Sequence, residues 1–200
     1  MMTWVVVPVK PLDQGKSRLR ALFSDQEALQ FNASLFQNTF LKLRDISLID
    51  QIVVVSQDQR VLSWTMANGG IALAESKHDL NSALGQGLEF VQKQGEHPVL
   101  ILPTDLPLMS VEDLQRVFLS FPSHPGMLII PDRQKIGTNA LFLTTPDLIN
   151  PVFGQNSFQE HCALAESKHC QLVVYLDRHI QHDIDTPEDL RLIQDQVLVN

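Results

Sequence analysis

The chain has 200 residues, 44% hydrophobic and 19% charged, with a net charge of −8 when histidine is counted neutral. That length accommodates one domain with a full core, and the acidic balance excludes a sequence-indifferent nucleic-acid binder, which needs a basic face. No apolar run approaches the length of a membrane span, and two cysteines are too few for a disulfide framework.

In chain order, TWVVVPV (3–9) reads as a strand buried on both faces. The first ten residues lack the basic start, long apolar centre and small-residue cleavage site of a signal peptide, so a cytoplasmic protein is expected. A helix follows over 25–43, with Leu29, Phe36, Phe40 and Leu43 on one stripe. QIVVVSQ (51–57) is a second strand, 58–68 a helix, 70–74 a weaker strand and 80–94 a helix. HPVLILP (97–103), a helix over 111–120, GMLIIPD (126–132), NALFLTT (139–145), a helix over 157–166, CQLVVYLD (170–177) and a helix from Pro187 complete the series. Strands alternating with helices at this spacing predict an α/β domain with a mainly parallel sheet. GMLIIPD and NALFLTT are joined by too short a link for a helix, so an antiparallel pair is expected, as an insertion at the sheet edge over about 126–170. ALAESKH occurs at both 72–78 and 163–169 with different flanks; the first copy is expected to lose its helix propensity to context. One domain over 1–200 is expected, because no linker, low-complexity tract or charge block divides the chain.

Ligands of open α/β sheets bind beyond the carboxyl ends of the strands. After the first strand, Lys10, Lys16, Arg18 and Arg20 are four of the fifteen basic residues, with Gly15 among them. A glycine loop carrying cations suits a polyphosphate, although this is not the GxxxxGK[ST] loop. A solvated loop with stray charges is the plain alternative. Asp105 follows HPVLILP between two prolines. In HDIDTPEDL, a cap by Thr186, Pro187 and Asp189 explains those three residues and leaves Asp183 and Asp185 unexplained. Asp105 and one of these two, Asp185 in the first instance, are candidates to hold Mg²⁺. Asn81 stands near a helix start as a plain cap, with Gly85 and Gly87 behind it leaving room for a flat base or ribose. Thr138 after Gly137, and Gly154 before Ser157, offer N–H and hydroxyl groups to a phosphate or carboxylate; Ser157 with Glu160 is otherwise a capping box. HCALAESKHC fits none of the common zinc spacings. The seven histidines read as structural or solvated, and the oligomeric state, a homodimer included, is not encoded in any motif.

Taken in order, VPVKPLDQGKSRL, DLNSAL, LPTDLPL, GTNAL, FGQNSFQEH and DIDTPEDL resemble the guanylyltransferase family of coenzyme F-420 biosynthesis, which acts on 2-phospho-L-lactate or phosphoenolpyruvate. The resemblance runs from Val5 to about Leu190; GTNAL with FGxxSFxxH is its specific part, whereas the D-L-P turn is shared by many nucleotidyltransferases. It implies a three-layer nucleotidyltransferase fold like that of nucleotide-sugar pyrophosphorylases, with GTP, Mg²⁺ and a small phosphorylated acid as reactants. It further implies triphosphate contacts from Lys16 and Arg18, metal ligation by Asp105 and Asp185, nucleoside contact near Asn81, and contacts to the acid from Thr138, Gly154 and Ser157; Lys10 joins the nucleotide-binding group. Lys16, Arg18 and Asp105 are the residues expected to carry the chemistry. A nucleotidyltransferase for a sugar phosphate or molybdopterin, and an inactive nucleotide-binding module, are the alternatives.

Overall fold

The computed structural model describes residues 2–16, 19 and 22–198, with side chains described to residue 192. The elements are β1 (Thr3–Val9), α1 (Asp25–Arg44), β2 (Ile49–Ser56), α2 (Gln59–Ala67), β3 (Ile71–Ala74), α3 (Leu80–Gln94) and β4 (Val99–Ile101). They continue with α4 (Val111–Leu119), β5 (Gly126–Pro131), β6 (Thr138–Leu143), α5 (Ser157–Ser167), β7 (Gln171–Val174) and α6 (Pro187–Leu198). The strands of the described residues form one sheet in the order β3-β2-β1-β4-β6-β5-β7. Neighbours run parallel except at β6, which is antiparallel to both β4 and β5.

Strand alternation sorts the apolar side chains into two layers. Val5, Val7, Val54, Leu100, Leu128 and Phe142 face Phe36, Phe40 and Leu43 of α1 and Leu114 and Val117 of α4. Trp4, Val6, Val53, Ile101, Met127 and Leu141 face Leu84, Leu88 and Val91 of α3 and Ala165 of α5. The result is a helix–sheet–helix sandwich, the three-layer α/β architecture that the alternating pattern implies.

The link between β5 and β6 is too short for a crossover, so the two strands form a hairpin. Asp132 closes it: its carboxylate accepts from the backbone N–H groups of Ile136 (2.9 Å) and Gly137 (2.8 Å). A Cβ on Gly137 would lie 2.9 Å from that carboxylate, which is why glycine stands there. The pair is antiparallel as expected, but it does not sit at the sheet edge. β6 lies inside the sheet between β4 and β5, and β7 is outermost. All six residues of β6 are buried: β4 and β5 pair its two edges, and the two apolar layers cover its faces.

The repeated heptapeptide adopts two structures. Its first copy supplies the end of β3, where Ala72 pairs with Val54; its second lies in α5 as far as Ser167. The glycines of α3 also separate. Gly85 faces open space, whereas a Cβ on Gly87 would approach Val6 Cγ1 to 2.6 Å. Gly87 is small so that α3 can lie against β1, and not to admit a ligand.

The chain between β1 and α1 is tied down on two sides. Asn32 of α1 donates to the carbonyl of Leu12 (2.8 Å), and a Cβ on Gly15 would fall 2.8 Å from the same amide. The buried Asp58, N-cap of α2, accepts the Leu12 N–H at 2.9 Å and is gripped by Arg60 (2.6 and 2.8 Å). The Arg60 hydrogen bonds, opposed by burial and helped by the Leu12 and Arg60 N–H groups, hold the Asp58 carboxyl at about 2.

Two stability outcomes follow. Gly87→Ala should destabilise by about 1–3 kcal/mol through overpacking, while Gly85→Ala should be neutral or stabilise by up to about 1 kcal/mol; urea denaturation of both variants measures the difference. For Asp58, the folded pKa lies below the unfolded one, so its contribution is complete above about pH 4 and fades as pH falls toward 2. Asp58→Asn should therefore cost about 2 kcal/mol at pH 7 and progressively less below pH 4, read from paired denaturation curves across that range.

Candidate active site

A cleft of about 540 Å³ opens at the carboxyl ends of β1, β2 and β4, lined by Lys10, Lys16, Gln57, Glu75, Asp105 and Asp185 among others. Each wall has a local cause. Pro103 has no N–H with which to continue the β4 ladder, so the chain turns out of the sheet. Leu106 and Met109 then fill the core, and Lys42 of α1 reaches across to donate to the carbonyls of Met109 (2.6 Å) and Pro107 (3.4 Å). This holds Asp105 at the rim. Asp185 arrives from the other end of the chain. The backbone N–H of Ile184 donates to the Asp105 carbonyl (3.0 Å), and Thr186 and Asp189 close the expected cap of α6 immediately afterwards.

Lys16 joins the two acids. Its Nζ lies 2.7 Å from Asp105 Oδ2 and 2.9 Å from Asp185 Oδ1, on a residue with φ of 51°, in the left-handed region that favours glycine. Burial lowers the ammonium's pKa, but the charges of Asp105 and Asp185 and their hydrogen bonds more than reverse this, and the pKa is raised. An exposed ion pair is worth about 0–1 kcal/mol, whereas losing one partner of a buried pair costs about 3–5 kcal/mol. With 13% of its side chain exposed against 51% for Asp185, Lys16 lies nearer the buried case. Asp183, two residues before Asp185, accepts from Asn139 Nδ2 at 3.4 Å. Burial first, and then the charge of Asp105, raise its pKa. Two carboxylates converging on one cation, Asp105 and Asp185, are hard-oxygen donors of the kind a divalent ion takes.

A second cluster lies where β6 begins. Pairing of Leu141 with Ile101 puts Thr138 beyond the last residue of β4, on the same carboxyl edge as Asp105. Thr138 Oγ1 is 3.2 Å from Ser157 Oγ and 3.0 Å from His161 Nδ1. Gly154, at φ 133°, turns the chain into α5 and accepts the Ser157 N–H. Ser157 does not cap the helix with Glu160. The N-cap is Asn156, and the Ser157 hydroxyl is turned inward to Thr138. Asn81 is not the helix cap either. Asp79 is the cap of α3, and the Asn81 amide is taken up by Phe153, donating to its carbonyl (3.0 Å) and accepting its N–H (2.7 Å). These two bonds tie α3 to the segment carrying Gly154.

The structure thus gathers Lys10, Lys16, Asp105 and Asp185 around one cleft, and Thr138, Gly154 and Ser157 into a second group. Arg18 lies outside the described residues. Asn32, Lys42 and Asp58 support these groups and carry no motif of their own, whereas His161 closes the FGxxSFxxH motif; the roles of all four appear only through contacts between segments. One further cluster, Asp113, Asp177 and His179, has ligand atoms close enough for an ion. Its buried carboxylates are already taken: Asp113 by Ser110, Arg116 and His179, and Asp177 by the N–H groups of His179 and Ile180. It ties the segment after β7 to α4. No helix of the described residues is long and apolar enough to cross a membrane.

Known proteins share this sequence pattern and fold. The family model described as "Guanylyl transferase CofC like" matches residues 3–194. A phosphoenolpyruvate guanylyltransferase of Sphaerobacter thermophilus is 35% identical over 95% of this chain and 91% of its own length. A 2-phospho-L-lactate guanylyltransferase of Methanocaldococcus vulcanius is 29% identical over 93% of this chain and 81% of its own. Among solved structures, a nucleotidyl transferase from Methanothermobacter thermautotroptrophicus superposes with a TM-score of 0.70 at 16% identity, covering 98% of each chain. The 4-diphosphocytidyl-2C-methyl-D-erythritol synthase of Anaerococcus prevotii gives 0.64 at 12% identity, over 98% of this chain and 96% of its own. The fold is that of the nucleotidyltransferases, and with the match spanning nearly every residue from β1 into α6, the chain belongs to the CofC-like guanylyltransferase family.

Proposed function

We propose that this chain transfers GMP from GTP to a small phosphorylated acid, phosphoenolpyruvate or 2-phospho-L-lactate, releasing pyrophosphate in coenzyme F-420 biosynthesis in the cytoplasm. The observation that carries the reading is the Lys16 ammonium between Asp105 and Asp185, set at the mouth of a cleft large enough for a nucleotide. Phosphoenolpyruvate is the favoured acid, because the relative named for it is the more similar of the two compared.

The acceptor is its own nucleophile. A phosphate monoester has a second pKa of about 6 and is mostly dianionic at neutral pH. One of its oxygens attacks the α-phosphorus, the bond to the bridging oxygen breaks, and pyrophosphate leaves with that electron pair. No protein base is required, and the histidine beside the acid cluster is buried and neutral. What remains for the protein is positioning and charge neutralisation. Lys16 moves from its carboxylates to the triphosphate, and Lys10 faces the same cleft. Asp105 and Asp185 would hold a magnesium ion, which supplies charge neutralisation at the phosphate oxygens. Thr138, Ser157 and the backbone at Gly154 receive the acid on the same edge of the sheet.

Purified protein with GTP and Mg²⁺ should release pyrophosphate on addition of phosphoenolpyruvate or 2-phospho-L-lactate, measured with the enzyme that consumes the diphosphate product present to draw the reaction forward. Silence with both acids, together with turnover of a sugar phosphate, would replace this reading with the sugar-phosphate one. Lys16→Met and Asp105→Asn should each lower kcat by about a hundredfold or more, as loss of a group that stabilises transition-state charge does. Unchanged GTP and Mg²⁺ dependence in Asp105→Asn would instead favour an inactive binding module.

A further inference from the structure

The hydrogen bonds around His161 allow its protons to be counted. The side chain is fully buried. Its Nε2 lies 3.0 Å from the backbone nitrogen of Val152, and a backbone N–H can only donate, so Nε2 carries a lone pair. Burial lowers the imidazole pKa to about 4, so near pH 7 the ring is neutral and its one proton sits on Nδ1. Nδ1 faces Thr138 Oγ1 at 3.0 Å; the ring donates and the threonine oxygen accepts.

That assignment decides what the neighbouring hydroxyls can do. Thr138 and Ser157 bring two O–H protons, and the 3.2 Å bond between them uses one. Because Thr138 already accepts from the ring, it has no need to donate there. One hydroxyl proton of the pair is then left without an acceptor among the described residues. With the other ring tautomer the count would close: Thr138 would donate to Nδ1, Ser157 would donate to Thr138, and nothing would remain. A buried donor lacking an acceptor is unfavourable, so the pair is arranged for an oxygen supplied from outside the chain.

We propose that His161 is a positioning residue. Held at Nε2 by Val152 and donating from Nδ1 to Thr138, it converts the Thr138–Ser157 pair into a hydrogen-bond donor for an anionic oxygen of the phosphorylated acid. The identity of that acid rests on the function proposed above; the proton count does not.

Two substitutions separate this role from simple anchoring of the Val152 segment. In His161→Asn the side-chain amide can replace the Nδ1 donor but not the Nε2 acceptor. In His161→Gln the side-chain carbonyl can replace the Nε2 acceptor but not the Nδ1 donor. His161→Gln should raise the KM for the acid about tenfold or more, as loss of a hydrogen bond to a charged group does, with the KM for GTP unchanged. His161→Asn should keep both constants near the parent's. Melting temperatures of both variants report folding. The reverse order, or equal loss in both, would overturn the proposal. Nitrogen-15 NMR of histidine-labelled protein, with the His161 signals identified by their disappearance in His161→Gln, provides a readout free of turnover. A neutral Nδ1–H ring at pH 7 is expected, and an Nε2–H ring or an imidazolium would overturn it. A parent enzyme silent with both acids would remove the acceptor assignment alone, and the spectrum would still decide whether the hydroxyl pair carries a spare proton.

Discussion

The Lys16 ammonium held between Asp105 and Asp185 is the contact on which the geometry of the carboxyl edge depends. It joins the loop after β1, the turn after β4 and the segment before α6, three pieces of chain separated by up to 169 residues. Opposite charges at 2.7 and 2.9 Å, with the lysine largely shielded from water, attract more strongly than a surface pair would. The same arrangement is suited to exchange. A divalent ion and a polyphosphate would bring the charges needed to take over both sides of the contact, the ion at the carboxylates and the phosphate at the lysine.

The sheet makes that meeting possible. Parallel strands bring the carboxyl ends of β1, β2 and β4 to one edge, and the antiparallel β6 then delivers its amino end, with Thr138, to that same edge. A parallel strand in that place would have presented Leu143 instead. The short β5–β6 hairpin, closed by Asp132 on Gly137, is thus what brings the Thr138 hydroxyl to the edge that carries the Lys16 loop.

Around both groups runs a layer of polar side chains that bind backbone instead of substrate. Asn32 and Asp58 hold Leu12 from opposite sides, Lys42 holds the turn at Pro107 and Met109, and Asn81 holds Phe153. These contacts explain how loops with few apolar anchors keep one shape. Asn81 in this way braces the segment that carries Gly154.

Elements made by local patterns were legible in the sequence: the apolar runs of β1, β2 and β5, the amphipathic α1, the Thr186–Asp189 cap and the hairpin between β5 and β6. The ordered motifs also pointed to the family, because each loop keeps its chemistry close in sequence. Other features depended on who meets whom across the fold. The interior place of β6, the packing reason for Gly87, the different fates of the two ALAESKH copies and the proton count at His161 are all of this kind. Period and propensity act over a few neighbouring residues, whereas these outcomes are set by contacts between segments tens of residues apart. Only the folded chain brings such segments within hydrogen-bond or van der Waals reach.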